Sequence, residues 1–502
     1  MVYRDPVRTT ALIIGSGFSG LGAAIAFQKE KIDYLILEKK NDVGGTWRDN
    51  TYPGCACDIP SHLYSYSFEQ KSDWSKLWPP QAEIQQYLQD VAKKYRLQKR
   101  IRYGQEVEEA RWDDQSLEWR VRTKNGQEYI SQYLISGAGA LHIPSVPDFK
   151  GLDDFRGTKF HSAEWNHNVD LTDKRVAVIG TGASAIQIVP AIVDKVAELK
   201  LFQRTPAWVM PWSNWEVPSS VQWAFAHVPG LQYAFRELLF WAHELFIGYP
   251  MTKHPGLLKV AEYLGRWNIR RSVDDPELRR KLTPNYSVGC KRILKGGKKP
   301  GANYYGALAL PKSDVIVENI DRFTENGIVT NDGVFHEVDV VVFATGFHVT
   351  DSYRYVKIFG QNHEDLGARF DTLGVAAHRG VMFADVPNLF MLMGPNSGLG
   401  HNSMVTMIES QIKFVVKAIK AVDQRSERAL FPTWGAQNAY NNEVQAKLGH
   451  TVWSTGGCSS WYYDERGKNP VLWSGTVWRY VQAMRKLRLN EFILFGQSST
   501  AR

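Results

Sequence analysis

The sequence predicts an α/β fold with two dinucleotide-binding units and a helical insertion, on three observations. Two runs that are apolar on both faces each lead into a glycine-rich turn and then a helical pattern, once at Gly15 and again at Gly180. Such runs are the mark of parallel strands buried on both sides. The chain has 502 residues, too many for one hydrophobic core. Beyond Trp212 the pattern changes to helical periodicity before strands resume. Two Rossmann-like domains follow. The expected division is a first nucleotide-binding part over 1–145, a linker over 146–172 and a second nucleotide-binding domain over 173–340. The second domain would include the insertion at about 213–285; a linker over 341–384 and the rest of the first domain over 385–502 complete the chain.

The first unit is "TTALIIGSGFSGLGAAIAFQKEKIDYLILEKK", with strand Ala11 to Ile14, a tight turn, a helix and a second strand. Gly15, Gly17 and Gly20 sit in that strand-to-helix context. The first glycine turns the chain, the second admits a pyrophosphate against the backbone, and the third allows close helix–strand packing. The phosphates then meet helix N-terminal amides. Glu38 closes the next strand, where its carboxylate can accept hydrogen bonds from a ribose diol.

The second unit, "KRVAVIGTGASAIQIVPAIVDKVAELKLFQRT", carries Gly180 and Gly182 followed by Ala185. Ser184 and Thr205 lie at its turn and at the end of its second strand, and Arg204 stands where the first unit has Glu38. An acid there repels a 2′-phosphate, whereas a guanidinium binds it in bidentate fashion. The first unit therefore suits FAD or NAD and the second suits NADPH. A chain with both is a flavoprotein that receives hydride.

Within the insertion, Phe235, Leu238, Leu239, Ala242 and Leu245 share one helical face with charges opposite. A helix packed on the protein by that face is the first expectation, and an aromatic-rich surface resting on a membrane is the rival. Further on, "VDVVVFATGF" (Val338 to Phe347) and "NLFMLMGPNS" (Asn388 to Ser397) read as buried strands whose ends approach a cofactor.

Composition narrows the class. Hydrophobic residues at 44% and charged residues at 22% exclude disordered and fibrous chains. The net charge of +8 is spread along the chain, and its densest patches are "KKYRLQKRIR" (Lys93 to Arg102) and "KGGKKP" (Lys295 to Pro300). No nucleic-acid motif accompanies them, so they read as a solvated helix end and a loop. Cys55, Cys57, Cys290 and Cys458 include no CxxC pair and make neither a disulfide framework nor a metal site. They fit a reducing cytosol. The N-terminus "MVYRDPVRTT" lacks the apolar core of a signal peptide. The most apolar segment, Leu231 to Pro250, contains Arg236, Glu237, His243 and Glu244, which argues against a membrane span.

Three stretches then coincide with one family. "GGTWRDNTYPGCACD" (Gly44 to Asp58) matches the [A/G]GxWxxxx[F/Y]P[G/M]xxxD pattern of Baeyer–Villiger monooxygenases at every specified position. "FRGTKFHSAEWN" (Phe155 to Asn166) matches their FxGxxxHxxxW[P/D] hallmark except at Asn166, and "FATGF" matches their second linker motif. With both glycine fingerprints, the chain resembles this FAD- and NADPH-dependent family over nearly its whole length. The "GPNSGLGHNSMV" segment (Gly394 to Val405) and the chain length resemble its compact branch, which acts on linear or aryl ketones and thioethers.

The resemblance implies a reaction in which NADPH reduces FAD and one atom of dioxygen is inserted beside a ketone carbonyl, giving an ester or lactone. Such a site needs a permanent cation that cannot donate its own proton, and arginine meets that need. By resemblance Arg292 in "GCKRIL" is that catalytic cation and Asp58 positions it. Lys291 would help Arg204 hold the 2′-phosphate. Thr46, Trp47, Asp58 and Tyr64 would line the FAD site, and Trp461 would lie near the nicotinamide. Gly157, His161 and Trp165 are implied to couple the two domains through the linker, without touching substrate. Sulfide oxidation is expected alongside. The alternative is a flavin-containing monooxygenase acting mainly on sulfur or nitrogen, a sister family that usually carries tyrosine or phenylalanine in place of Trp165 and lacks the arginine of "CKRIL". A third alternative, an NADPH oxidase or an FAD-binding protein without oxygenation, fits poorly with an intact Arg292–Asp58 pair. The partners expected are a small ketone or thioether and dioxygen, with no nucleic acid and no metal. The protein is expected in the cytoplasm as a monomer or dimer, with peripheral membrane contact as the further reading.

Overall fold

The computed structural model describes residues 5–212, 214–296, 303–458 and 460–496. Two parallel-centred sheets dominate it. The first has eight strands, in the order 357–359, 107–113, 118–123, 128–136, 7–14, 34–37 and 101–102, with 389–391 also paired to 128–136. Its centre is parallel: Ala11 pairs with Tyr34 on one side and Tyr133 on the other. The apolar run Ala11–Ile13 is fully buried there, as its lack of alternation requires.

The second sheet has five strands, ordered 313–316, 198–202, 175–179, 340–343 and 158–161, all parallel. Its edge strand Thr158–His161 comes from the hallmark segment, so this stretch is built into the second unit as well as connecting to it. Likewise the strand Lys357–Phe359, inside the second connecting segment, pairs with Glu109–Arg111 of the first sheet. The long helix Met404–Asp423 is capped by the Ser403 hydroxyl and packs on the first helix, Phe18–Lys29. The later part of the chain thereby closes over the first unit.

The insertion departs from expectation. Phe235, Leu239 and Ala242 are partly covered, but Leu238 and Leu245 of the same predicted face lie exposed. Arg236 and Glu244, expected on the outer face, are buried instead. The reason is tertiary: Arg236 donates to the carbonyls of His62, Leu63 and Ser65, and Glu244 accepts from the amides of Val477 and Trp478.

Cysteine usage also differs from expectation. Cys290 and Cys458 form a disulfide, while Cys55 and Cys57 are free. Of the two basic patches, the first carries ion pairs Lys94–Glu69 and Arg100–Asp33 at 2.6 and 2.7 Å. Residues 297–300 of the second lie outside the described residues. No helix among the described residues is long and apolar enough to cross a membrane.

Both glycine turns are geometrically strict. Gly15 and Gly180 have φ of 91° and 117°, which side chains rarely adopt. A Cβ on Gly20 would lie 1.8 Å from the Gly15 carbonyl oxygen. Gly20→Ala is therefore expected to cost about 1–3 kcal/mol through overpacking and to lower the apparent melting temperature in a thermal-shift measurement. Gly256→Ala, where a Cβ would meet nothing within 4 Å, should leave it unchanged.

Candidate active site

The site grows from the two turns. Gly17 and Gly182 are the N-cap residues of the helices Phe18–Lys29 and Ala183–Ile192, and neither helix has a side-chain cap. Their first-turn N–H groups are thus left for an outside acceptor. A Cβ on Gly182 would meet open space, and one on Gly17 only ordinary contact at 3.7 Å. Nothing within the chain demands glycine at these two positions, whereas a phosphate lying against the backbone does. The turns fit dinucleotides.

Glu38 is buried at the end of the strand Tyr34–Leu37. Its carboxylate accepts from the Ser16 amide at 3.0 Å, the Ser16 hydroxyl at 2.6 Å, the Lys40 amide at 2.9 Å and Arg48 at 3.0 Å. Of these the Ser16 hydroxyl is the donor free to rotate and admit a ribose hydroxyl. Arg204 lies exposed at the matching place in the second unit, with no carboxylate partner among the described residues. Lys291 is close enough for the two charges to repel: burial first, and then Arg204, lower its pKa. Two unneutralised cations together suit a phosphate. The Thr205 carbonyl accepts from the Thr181 hydroxyl at 2.7 Å, fixing the end of that strand.

The segment Gly44–Asp58 runs from the first turn to the second unit. Thr46 is exposed at the start of a short helix, and Trp47 is buried with its indole N–H donating to the Tyr64 hydroxyl at 3.2 Å. The segment then clasps the second helix. Gln187 accepts from the Tyr52 hydroxyl and the Ala56 amide, both at 3.2 Å, and donates to the Ala56 carbonyl at 3.0 Å. Ser184, one turn earlier, also faces Tyr52. Gln187 was not singled out from the sequence, although its spacing of three from Ser184 puts both on one helical face.

The clasp ends at Asp58. Its carboxylate takes Arg292 in a bidentate pair, Nε to Oδ2 at 2.7 Å and Nη2 to Oδ1 at 2.5 Å. Asp58 is 13% exposed and Arg292 49%, so the carboxylate is covered while the arginine side chain stays open on one side. Nη1 has no partner among the described residues. Burial disfavours ionised Asp58, but the Arg292 charge and hydrogen bonds outweigh it and hold the carboxyl below its usual range. Asp58 in turn raises the Arg292 pKa further. The pair is ionised throughout the working pH range.

Two further neighbours complete the surroundings: Tyr462 carries no signal in the sequence, and Lys295 departs from the solvated-loop reading of its basic patch, being half-buried in a short strand. Lys295 donates to the Asp58 backbone carbonyl and sits 4.0 Å from the centre of the Trp78 ring. Burial lowers its pKa to about 7, against the opposing pull of Asp58. It is placed by the parallel pairing of Leu294–Lys295 with Val209–Met210, and two residues are too few for a strand signal. Tyr462 is buried near the pair, whereas the neighbouring Trp461 is 56% exposed and lies tilted against Tyr462, ring centres 4.5 Å apart. The disulfide joins the loop carrying Lys291 and Arg292 to the loop carrying Trp461 and Tyr462.

The hallmark residues stand back from this pair. His161 is buried, accepts from the Ala163 amide at 3.1 Å and packs on Phe347 at 5.6 Å. Burial lowers its pKa to about 4, keeping it neutral. Phe347 pairs with Pro144, so the two connectors between the sheets run side by side at His161. Trp165 meets Phe160 edge-on at 5.0 Å. Asn166 accepts from the Asn168 amide at 3.1 Å, a bond an aspartate at that place makes equally well.

A family model described as pyridine nucleotide-disulphide oxidoreductase matches residues 12–222. The chain is 44% identical over 485 residues to a Baeyer–Villiger monooxygenase of Pseudomonas aeruginosa, covering 96% of this chain and 90% of that one. It is 42% identical to another from Streptomyces coelicolor, covering 96% and 91%. The crystal structure of cyclohexanone monooxygenase from a Rhodococcus species, bound to NADP+, superposes with a TM-score of 0.87 at 28% identity, covering 98% and 100%.

The clasp rests on Gln187. Gln187→Ala removes three hydrogen bonds, worth roughly 2–4 kcal/mol together. Hydrogen exchange at the Ala56 amide should accelerate in the variant while that of the buried strand Ala11–Ile14 stays slow.

Proposed function

The chain belongs to the Baeyer–Villiger monooxygenase family, and from that premise we propose that Arg292, positioned by Asp58, is the cation on which its oxygen insertion depends. The protein is an FAD- and NADPH-dependent monooxygenase that converts ketones to esters or lactones. FAD and NADPH supply hydride transfer and oxygen activation when bound. The chain supplies position and charge.

The observation that carries the proposal is the bidentate Asp58–Arg292 pair with Nη1 left open. Asp58 fixes the guanidinium plane and removes two of its donors from competition. The remaining edge is aimed at whatever anion forms in front of it. A raised pKa matters here because a cation that gives up its proton would quench the anion it is meant to stabilise. A preorganised donor of this type is worth about 3 kcal/mol of barrier. Lys295 beneath Asp58, when protonated, adds to the positive potential that favours ionised Asp58.

In the same reading Gly15, Gly17, Gly20 and Glu38 hold FAD with Thr46, Trp47 and Tyr64 beside it. Gly180, Gly182, Ser184, Arg204, Thr205 and Lys291 would hold NADPH, with Trp461 near its nicotinamide. The FAD domain comprises 1–145 and 385–502, the NADPH domain 173–340 with its insertion at about 213–285, and 146–172 and 341–384 connect them. Thioethers are a second substrate class, oxidised at sulfur. We place the enzyme in the cytoplasm as a monomer or dimer, with the helical insertion in peripheral contact with a membrane.

Arg292→Ala should still oxidise NADPH but form ester at least about 100-fold more slowly, read by product chromatography beside absorbance at the nicotinamide band; an undiminished ester yield would remove Arg292 from the reaction. Arg204→Ala should raise KM for NADPH by about 10- to 100-fold, the worth of a charged hydrogen bond, and leave KM for NADH unchanged. Equal loss with both nucleotides would contradict the phosphate assignment.

A further inference from the structure

The rod formed by Leu231–His243, the wide turn Glu244–Gly248 and Tyr249–Lys253 is helical without a break. Its polarity is inverted. Arg236 and Glu244 point inward onto backbone groups, and Gln232 is tied to the Lys71 carbonyl at 2.6 Å. Outward stand Leu231, Leu238, Trp241, Leu245, Phe246 and Tyr249, with Phe246 77% exposed. Leu238, Trp241, Leu245 and Tyr249 recur every three or four residues, with Leu231 two turns before them and Phe246 beside Leu245, so they form one stripe along the rod. Up to Tyr249 no charged residue shares the exposed positions. Contiguous apolar surface of this extent marks an interaction site.

The next helix, Lys259–Ser272, continues the surface with exposed Val260, Tyr263, Leu264 and Trp267. Here the exposed charges are all basic: Lys253, Lys259, Arg266, Arg270 and Arg271. The acid of that helix, Glu262, is half-buried and accepts from the Val288 amide.

We propose that this face docks on the surface of an anionic lipid bilayer. The proposal rests on the peripheral-contact reading above and names the face and the headgroup charge; it is independent of Arg292. Three observations select lipid. Trp, Tyr and Phe are the side chains suited to a water–hydrocarbon boundary. A helix whose exposed charges are basic, with Asp274, Asp275 and Glu277 lying only beyond its C-terminal end, is complementary to anionic headgroups. In a two-fold dimer the same patch meets itself, and a pairing with the axis through the basic helix would set like charges together. With no helix long and apolar enough to cross among the described residues, the face would lie on the bilayer.

The test is flotation of the full-length holoenzyme with phosphatidylcholine vesicles, with and without phosphatidylserine, at low and high salt. Wild type should float with the anionic vesicles, more weakly in salt. Leu245→Ser/Phe246→Ser should lose flotation, and Lys259→Glu/Arg270→Glu should weaken anionic binding by at least about tenfold, each basic residue near the surface being worth about fivefold. Both variants should retain NADPH-dependent ester formation, which separates this proposal from the Arg292 assignment. Equal binding to neutral and anionic vesicles would overturn the headgroup assignment while keeping membrane contact. No flotation with either would overturn both. A wild-type dimer in sedimentation that becomes monomeric on Leu245→Ser/Phe246→Ser would make a second copy the occupant and overturn the lipid proposal.

Discussion

A carboxylate buried to 13% exposure cannot stay ionised without a cation against it, and in this chain that cation is 234 positions away. Asp58 ends the segment that leaves the first nucleotide turn, and Arg292 begins the return from the helical insertion. Neither can be satisfied unless the two units dock. Much of the surrounding structure serves that requirement. The Gln187 clasp brings the Asp58 segment onto the second unit, the short pairing of Val209–Met210 with Leu294–Lys295 fixes the approach of the Arg292 loop, and the Cys290–Cys458 disulfide ties that loop to the C-terminal one.

The linker motif belongs to the same design at one remove. Thr158–His161 closes the edge of the second sheet, and the neutral His161 packs where the connectors at Pro144 and Phe347 lie together. This crossing is one of the places where the two units meet, beside the Gln187 clasp and the Asp58–Arg292 pair. The aromatic and histidine residues of the segment are held there by packing and a local hydrogen bond. Asn166 keeps the local turn by the bond an aspartate would make.

The helical insertion shows the limit of periodicity. Its spacing correctly marked a helix, but the face holding Leu238 and Leu245 looks outward. Burial was decided by partners far away in sequence: carbonyls at 62–65 for Arg236 and amides at 477–478 for Glu244. Inside, Arg236 is held by three carbonyls although burial still lowers its pKa, and Glu244 by two amides; left outside, they would have given an ordinary amphipathic surface. The same distance explains Lys295 and Tyr462, which carry no local motif and matter only because the fold sets them beside Asp58. The disulfide was equally invisible, since Cys290 and Cys458 are 168 residues apart with no spacing rule to join them.

What the sequence determined by itself were the features governed by neighbours in the chain: the two glycine turns, their strands and helices, the acid in one unit against the arginine in the other, and the family motifs. These are short-range because a φ of 91° at Gly15 or a helix N-terminus open to a phosphate is specified within a few residues. Only the tertiary structure decided which side of the insertion is bare, which cysteines bond, and which charges crowd around Asp58. Each of those is set by desolvation and pairing between segments brought together by folding, and such energies depend on distances in space that a linear pattern does not contain.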